Sequence, residues 1–208
     1  MTETEQGSQA SDNPPEQAMP TPDGQFPIDM VITDDLKRSR LTVLFRLLLV
    51  IPAFIWLMLW GFAAFFVLVA NWVATTIKGQ SPDSLHNFLA GYIRYTTHIL
   101  AYYYILADPY PGFSSVNKYP VTVDIAPPAK QGRLGVFFRG ILAIPAYFIA
   151  SLLRYVLGII VILNWLIALF TGRLPRGFED IGLYILRYEV ETLSYYSLLT
   201  NRYPRLST

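Results

Sequence analysis

The sequence predicts an all-α integral membrane protein with four transmembrane helices in two tandem hairpin repeats. Three observations lead to this prediction. Hydrophobic residues make up 53% of the 208 residues and charged residues only 15%, whereas soluble domains contain about 25% charged residues. Two long segments are almost wholly apolar. The chain also repeats itself at a constant offset, so that each unit holds one long apolar segment followed by a returning segment.

The composition also limits the chemistry that we expect. A formal net charge of +1 gives no reason to expect a nucleic-acid partner. Because the chain has no cysteine, disulfides, thiolate metal sites and cysteine nucleophiles are excluded. The chain contains no serine nucleophile elbow, metal-ligand set or phosphate-binding loop. We therefore expect a protein that is not an enzyme, with no catalytic residue, no metal and no cofactor.

Residues 1–25 differ from the rest of the chain. They contain five acidic residues and four prolines, but no basic or aromatic residue. Such a segment cannot bury enough apolar surface to offset the entropy of ordering, so we expect a disordered acidic tail in the cytoplasm. It lacks the basic start and apolar core of a cleavable signal peptide. Its role is either to solubilise the protein or to dock a partner.

The remaining chain is a tandem duplication with an offset of 93 residues. The segment "RLTVLFRLLLVIPA" at position 40 aligns with "RLGVFFRGILAIPA" at position 133. Further matches follow without any insertion between them, as expected for two copies of one structural unit. We assign the first membrane repeat to residues 26–113 and the second to residues 119–206.

Each repeat should contain a strand, an in-plane helix and two spans. The alternating stretches "FPIDMVITD" and "YPVTVDIAP" predict one short strand each, outside the bilayer. The apolar segment at 41–77 would form a helix about 55 Å long, against a hydrocarbon core of about 30 Å. We therefore expect Pro52 and Pro145 to divide the two apolar segments, since proline kinks a helix. Spans are then predicted at 53–77 and 146–170.

A basic amphipathic helix should precede each proline, at residues 134–144 in the second repeat, and lie in the plane of the headgroups. Its arginines are predicted to contact anionic lipid headgroups. In the two repeats together these residues are Arg38, Arg40, Arg46, Arg133 and Arg139.

The returning spans are predicted at 82–106 and 176–199, after helix stops at Gly79 and Gly172. In the first repeat, "SPD" at 81–83 supplies a cap, a first-turn proline and a first-turn acid. Two spans per repeat return the chain to its starting side, so we expect parallel repeats, related by an axis along the membrane normal.

The distribution of basic residues predicts the orientation. Ten of them lie around the tail, the central linker and the C-terminus, and three lie in the hairpin loops. The positive-inside rule then predicts a multi-pass protein of the inner (plasma) membrane, with both termini in the cytoplasm.

Six ionisable residues lie well inside the predicted spans, away from their first turns. An arginine at mid-membrane costs about 3 to more than 10 kcal/mol unless it is paired or hydrated. Side chains four residues apart share a helix face, so Arg187 can pair with Glu191, whereas Arg94 has only His98 at that spacing. The full set is Arg94, His98, Arg154, Arg187, Glu189 and Glu191.

Three interpretations of this set remain open. It can be a structural cluster that holds the helices in register. It can be a hydrated pocket for an anion or a lipid headgroup, or a proton relay through His98 and Glu191. Separately, two asparagine–tryptophan pairs near the ends of the spans are predicted to anchor the helices at the interface, with the asparagines bonded across helices. These residues are Asn71, Trp72, Asn164 and Trp165.

The pattern "RL…FFR…L.IP…NW…TGR.PRGF…LRY…LLT.RYP" in the second repeat resembles domain-of-unknown-function family 4389, small bacterial multi-spanning membrane proteins. The first repeat also matches, although it departs at "KGQSPDSLHNF". The resemblance implies membrane residence and transfers no catalytic residue.

We therefore expect a non-enzymatic accessory or scaffold subunit, with membrane lipids as partners and another membrane protein as a further one. The alternative is a small transporter, or a lipid- or anion-binding membrane protein that uses the intramembrane arginine–glutamate set.

Overall fold

A computed structural model describes residues 28–32, 40–112, 119–173 and 175–206 of the chain. The predicted tail and Arg38 lie outside these residues. In chain order the elements are β1 (Ile28–Ile32), α1 (Arg40–Lys78), α2 (Asp83–Tyr103), β2 (Val121–Ile125), α3 (Arg133–Phe137), α4 (Arg139–Thr171) and α5 (Arg176–Tyr196).

The long apolar segments form continuous helices. Helix α1 runs through Pro52 and α4 runs through Pro145, so the predicted division at the two prolines is wrong. A proline removes a single N–H from the hydrogen-bond ladder, and the flanking turns of an apolar helix hold it together across that gap. In the second repeat the interruption lies earlier, at Phe138 between α3 and α4.

The ends of the long helices agree with the sequence. Gly79 and Gly172 follow α1 and α4 with φ values of +75° and +69°, which glycine adopts without steric cost. The predicted cap at Ser81 is wrong, because the N-cap residue of α2 is Pro82. The Ser81 hydroxyl instead donates a hydrogen bond of 2.6 Å to Oδ1 of Asn71.

Reciprocal contacts relate the two repeats by an approximate twofold axis. Strands β1 and β2 form the predicted strands and pair antiparallel, with Met30 opposite its own repeat equivalent, Val123. The indole nitrogen of Trp72 donates to the carbonyl oxygen of Val136 (3.1 Å). Its equivalent, Trp165, donates to the carbonyl oxygen of Val43 (3.0 Å). The same bond is made with the repeats exchanged, as in the interface of a symmetric dimer.

These contacts make α1 and α4 antiparallel, because the C-terminal part of each helix touches the start of the other repeat. The prediction that corresponding helices of the two repeats run parallel to each other is therefore wrong. The twofold axis passes between the long helices, near their midpoints.

The linker between the repeats is responsible for this arrangement. It follows α2 backwards as an extended chain, since Arg94 donates to the carbonyl oxygen of Val123 (3.0 Å) and Gln80 bridges to Lys130. It thereby carries the chain to the far end of α1 before α4 begins.

The core lies between the sheet and the long helices. Buried side chains of α2 and α5 form one cluster with the inner face of β2 and with the inner faces of α1 and α4. Examples are Ile93, Val123, Leu157 and Ile185. The outer faces of α1 and α4 are covered with exposed apolar side chains along their whole length.

Among the described residues, two helices are long and apolar enough to cross a membrane, rather than the four that were predicted. They are Thr42–Lys78 and Arg139–Thr171, with mean hydropathies of 2.4 and 2.2. Helices α2 and α5 have largely buried surfaces and include more polar residues, such as Glu189 and Glu191 of α5.

Candidate functional site

Arg46 of α1 is fully buried at the C-terminal end of α2. Its Nη1 donates to the carbonyl oxygens of Tyr102 (2.6 Å) and Ala107 (3.1 Å), and its Nη2 donates to Oδ1 of Asp108 (2.8 Å). The guanidinium carbon lies 4.3 Å from the centroid of the Tyr102 ring. A helix C-terminus favours cations, because its last carbonyl groups lack intrahelical partners. The first repeat thus encloses a neutralised arginine.

Arg139 occupies the equivalent place at the end of α5 but has no carboxylate partner within the described part of the chain. Its Nη1 donates to the carbonyl oxygen of Thr200 (3.1 Å), and its Nη2 donates to Oε1 of Gln131 (2.6 Å). Its guanidinium carbon lies 4.2 Å from the centroid of the Tyr195 ring. Asn201 stands where the first repeat has Asp108. Only neutral groups of the described residues therefore surround this cation.

The predicted contact of Arg46 with lipid headgroups is wrong as stated, because its guanidinium group is enclosed by protein carbonyl groups and the carboxylate of Asp108. Arg139 also binds a protein carbonyl group, but it has no carboxylate partner among the described residues, and its contact with a headgroup stays a prediction. Periodicity alone could not distinguish an arginine that faces headgroups from one that faces the end of another helix. Arg133 is exposed at the start of α3, and its contact with headgroups stays a prediction. The side chain of Arg40 lies outside the described residues, as does all of Arg38.

The predicted intramembrane set divides into separate sites. Glu189 of α5 is buried and accepts a hydrogen bond of 2.7 Å from Nε of Arg154, across to α4. The hydroxyl group of Tyr104 also donates to this carboxylate, at 3.2 Å. This interaction joins α4, α5 and the end of α2, which is the kind of contact expected of a structural cluster.

Arg187 and Glu191 form the predicted pair four residues apart, with 3.0 Å between Nε and Oε1. The backbone N–H of Arg205 donates to the second oxygen of Glu191, which ties the C-terminal segment to α5. Arg94, the repeat equivalent of Arg187, donates instead to the carbonyl oxygen of Val123. Arg187 and Arg94 therefore bind different acceptors, and Glu191 does not serve both.

His98 stacks on Tyr119 with ring centroids 4.4 Å apart. Burial in α2, outside the two long apolar helices, lowers the pKa of His98 to about 4, although a hydrogen bond with the Val121 backbone opposes the shift. A lowered pKa disfavours the protonated imidazole through which a relay would pass, and Glu191 is held by Arg187 and the Arg205 backbone. These contacts do not favour the proton-relay interpretation.

The two predicted asparagines differ. Asn71 donates to the carbonyl oxygen of Ser197 (3.2 Å) across the repeat boundary, and its Oδ1 accepts hydrogen bonds from Ser81 and Thr75. The equivalent Asn164 is also buried, yet neither polar atom of its side chain has a partner among the described residues. Ala168 stands where the first repeat has Thr75. The indole nitrogens of Trp72 and Trp165 bind protein carbonyl groups, as described above.

Two apolar grooves lie at equivalent places between the repeats, and each is bordered by one of the buried arginines. The Arg139 groove has a volume of about 310 Å³ and is lined by Phe65, Leu68, Val69 and Trp72 of α1 and by Arg139, Tyr196 and Leu198. The Arg46 groove has a volume of about 500 Å³ and is lined by Gly158, Val161, Ile162 and Trp165 of α4 and by Arg46, Tyr103 and Ile105. The Arg46 groove is larger partly because Gly158 occupies the position that Phe65 has in the Arg139 groove.

Both grooves are bordered by a strained turn. Ile105 and Leu198, which are repeat equivalents, have φ values of +64° and +63°. This conformation costs a non-glycine residue on the order of 1 kcal/mol, and it is a genuine outlier for a β-branched side chain. The turn reverses the chain at the end of α2 or α5 and directs a following carbonyl group toward the arginine, as Ala107 does for Arg46.

The chain matches the family described as "Domain of unknown function (DUF4389)" over residues 40–115 and again over residues 133–207. The protein is a DUF4389 protein with two copies of the unit. The predicted family and tandem repeat are therefore confirmed. No curated protein and no solved structure matches the chain.

Sequence reasoning missed three residues that border the arginines of the DUF4389 units. Asp108 and Tyr104 belong to the first unit, and Gln131 lies two residues before the second. One signal could have found Asp108, because it is an acid in one unit where the other has Asn201. The described residues include no group of three or more histidine, cysteine, aspartate or glutamate residues that could hold a metal ion.

Proposed function

We propose that this DUF4389 protein is a non-catalytic accessory or scaffold protein, embedded in the inner membrane through α1 and α4, with both termini in the cytoplasm. The observation that carries the proposal is the division of its surface. The outer faces of the two long helices are apolar, whereas the sheet on the other side of the core exposes Thr122 and Asp124. A surface divided in this way fits the boundary between lipid and water.

The length of the apolar face favours helices that lie along the membrane. Exposed apolar side chains on α1 extend from Leu44 to Ile77, which is about 50 Å of helix. Fitting that length into a hydrocarbon core of about 30 Å would require a tilt of about 53°, beyond the range of about 0–40° seen for spanning helices. Helices lying in the plane of one leaflet would cover the whole face.

The sheet supports the same orientation. The twofold axis passes through the Met30–Val123 pair and near the midpoints of α1 and α4. If those helices crossed the bilayer upright, the exposed Asp124 and the open sheet edges would lie at mid-membrane depth, where both are unfavourable. With the axis along the membrane normal, the sheet lies in water.

Site-directed spin labels can test the placement, because the chain has no native cysteine. Single cysteines at Leu44, Ile55, Phe62 and Ile77 would be labelled in liposomes, and their depth measured by accessibility to oxygen and to a water-soluble nickel complex. We expect similar depths at all four positions and an aqueous environment for a label at Thr122. A deep label at Phe62 between two aqueous labels at Leu44 and Ile77 would contradict the proposal and favour spanning helices.

The scaffold role is supported by the ion pairs that three arginines of the helices form within the chain. Arg46, Arg154 and Arg187 are each bonded to a carboxylate of the same chain, so these groups contribute to packing rather than to a reaction centre.

Affinity purification in mild detergent tests this role. We expect a stoichiometric membrane-protein partner, and its loss when residues 1–25 are deleted would identify the tail as the docking segment. Purification of the protein alone, from cells in which it is at native abundance, would contradict the scaffold role.

A second candidate function is lipid or anion binding, and the grooves favour it. The Arg154–Glu189 and Arg187–Glu191 pairs each have internal charge compensation, so the set predicted from the sequence is less suited to an anion than the surroundings of Arg139.

A further inference from the structure

We propose that the Arg139 groove binds one anionic membrane lipid, with the negative headgroup on Arg139 and an acyl chain along the apolar wall formed by α1. This inference uses the membrane placement proposed above but does not depend on the scaffold role.

The first step of the argument is the charge of Arg139. Its side chain is 5% exposed, and its Nε has no hydrogen-bond partner among the described residues. The described groups around it are carbonyl oxygens, an amide oxygen and the ring of Tyr195, none of which carries a negative charge. Burying a charge without a counter-charge is unfavourable, so an anion that reaches this arginine gains a strong, charge-assisted interaction.

The second step is the wall of the groove. Phe65, Leu68, Val69 and Trp72 present an apolar surface from α1, and Ile141 continues it from α4. Phe65 and Ile141 are also exposed on the outer face of the long helices, so the groove is continuous with the proposed lipid-facing layer. An acyl chain can enter sideways from the leaflet, whereas a soluble anion would gain nothing from this wall.

The third step is the difference between the repeats. In the larger Arg46 groove, Asp108 already supplies a carboxylate at 2.8 Å from the arginine. Asn201 removes that carboxylate from the second repeat. We therefore expect each chain to bind one anionic lipid, in the Arg139 groove. The Arg46 groove should not prefer anionic lipids over neutral ones.

The test is native mass spectrometry of the full chain from a non-ionic detergent, with phosphatidylglycerol and phosphatidylcholine of identical acyl chains added in turn. We expect one retained phosphatidylglycerol and no retained phosphatidylcholine. Asn201→Asp, which copies the first repeat, should weaken phosphatidylglycerol binding by about tenfold or more, the factor expected for one hydrogen bond between charged groups. Asp108→Asn, which copies the second repeat, should create a second site of similar affinity.

Each alternative has its own outcome. Equal retention of the two lipids, or binding unaffected by Asn201→Asp in protein that keeps its thermal midpoint, would overturn the proposal. Competition by inorganic phosphate at the same concentration as the lipid would identify a free-anion site instead. If Asp108→Asn does not fold, the comparison of Asn201→Asp with wild type still decides the matter. The spin-label depths described above report independently on the placement of α1 and α4.

Discussion

The two repeats have the same backbone arrangement, but their buried polar groups have different partners. Arg46 and Arg139 lie over equivalent tyrosine rings, at 4.3 and 4.2 Å, and each binds a carbonyl oxygen at the end of the neighbouring helix. Only Arg46 has a carboxylate partner within the described part of the chain. The position of the arginine is therefore set by backbone geometry, which the duplication preserved, whereas its charge compensation depends on one side chain, which can change independently.

The buried asparagines likewise keep equivalent positions but differ in their hydrogen-bond partners. Asn71 has three hydrogen-bond partners, whereas Asn164 keeps the buried position without any partner among the described residues. The tryptophan that follows each asparagine makes the same bond in both repeats. The tryptophan bonds between the repeats were therefore retained, whereas the asparagine bond to the other repeat was not.

The largest expected effect concerns a pair that only one repeat has. Arg154→Leu would leave the buried Glu189 with the hydroxyl of Tyr104 as its remaining donor among the contacts described above. Stranding a buried charge costs about 3–5 kcal/mol. We expect the free energy of unfolding to fall by about 3 kcal/mol. The thermal midpoint in detergent should be about 6–12 °C lower.

The matched control removes both charges. The variant with Arg154→Leu and Glu189→Thr places the threonine of the first repeat, Thr96, at the equivalent position. Removing a whole buried pair is often nearly neutral, so we expect most of the loss to be recovered. Equal losses in the single and double variants would mean that the Glu189 charge is solvated without Arg154.

A smaller effect should separate the two asparagines. Asn71→Ala leaves the buried hydroxyl of Ser81 and the carbonyl oxygen of Ser197 without this partner, at a cost of about 1–3 kcal/mol. Asn164→Leu, which keeps the branching and the number of side-chain heavy atoms, removes two polar atoms that are already unsatisfied, and we expect a neutral or raised thermal midpoint. A comparable loss in both variants would show that Asn164 has a partner, such as an ordered water molecule.

The smallest effect should be the same in both repeats. Trp72→Phe and Trp165→Phe each remove one hydrogen bond to the other repeat, worth about 0.5–1.5 kcal/mol. Because the two bonds are equivalent, the losses of stability should be equal. Because they lie at opposite ends of the long helices, the losses should add in the double variant. Unequal losses in thermal unfolding would mean that the twofold relation describes the backbone but not the energetics.

The sequence alone determined the features that depend on residues close together in the chain or on the repeat itself. The constant offset established the duplication, and Gly79 and Gly172 end the long helices as expected, because glycine adopts a left-handed φ without steric cost. The Arg187–Glu191 pair was also predictable, since both residues lie on one helix at a spacing that brings their side chains together. Apolar runs of this length also identified α1 and α4 as the most apolar helices.

Only the tertiary structure decided how the repeats face each other and which partners the buried charges have. Arg46 meets Ala107 and Asp108, Arg154 meets Glu189, and Trp165 meets Val43, all between residues far apart in sequence. No local spacing encodes such pairs. The Trp165–Val43 contact between the repeats depends in addition on the path of the linker along α2. That path reverses the second repeat, and the reversal makes α1 and α4 antiparallel and forms the two grooves between them.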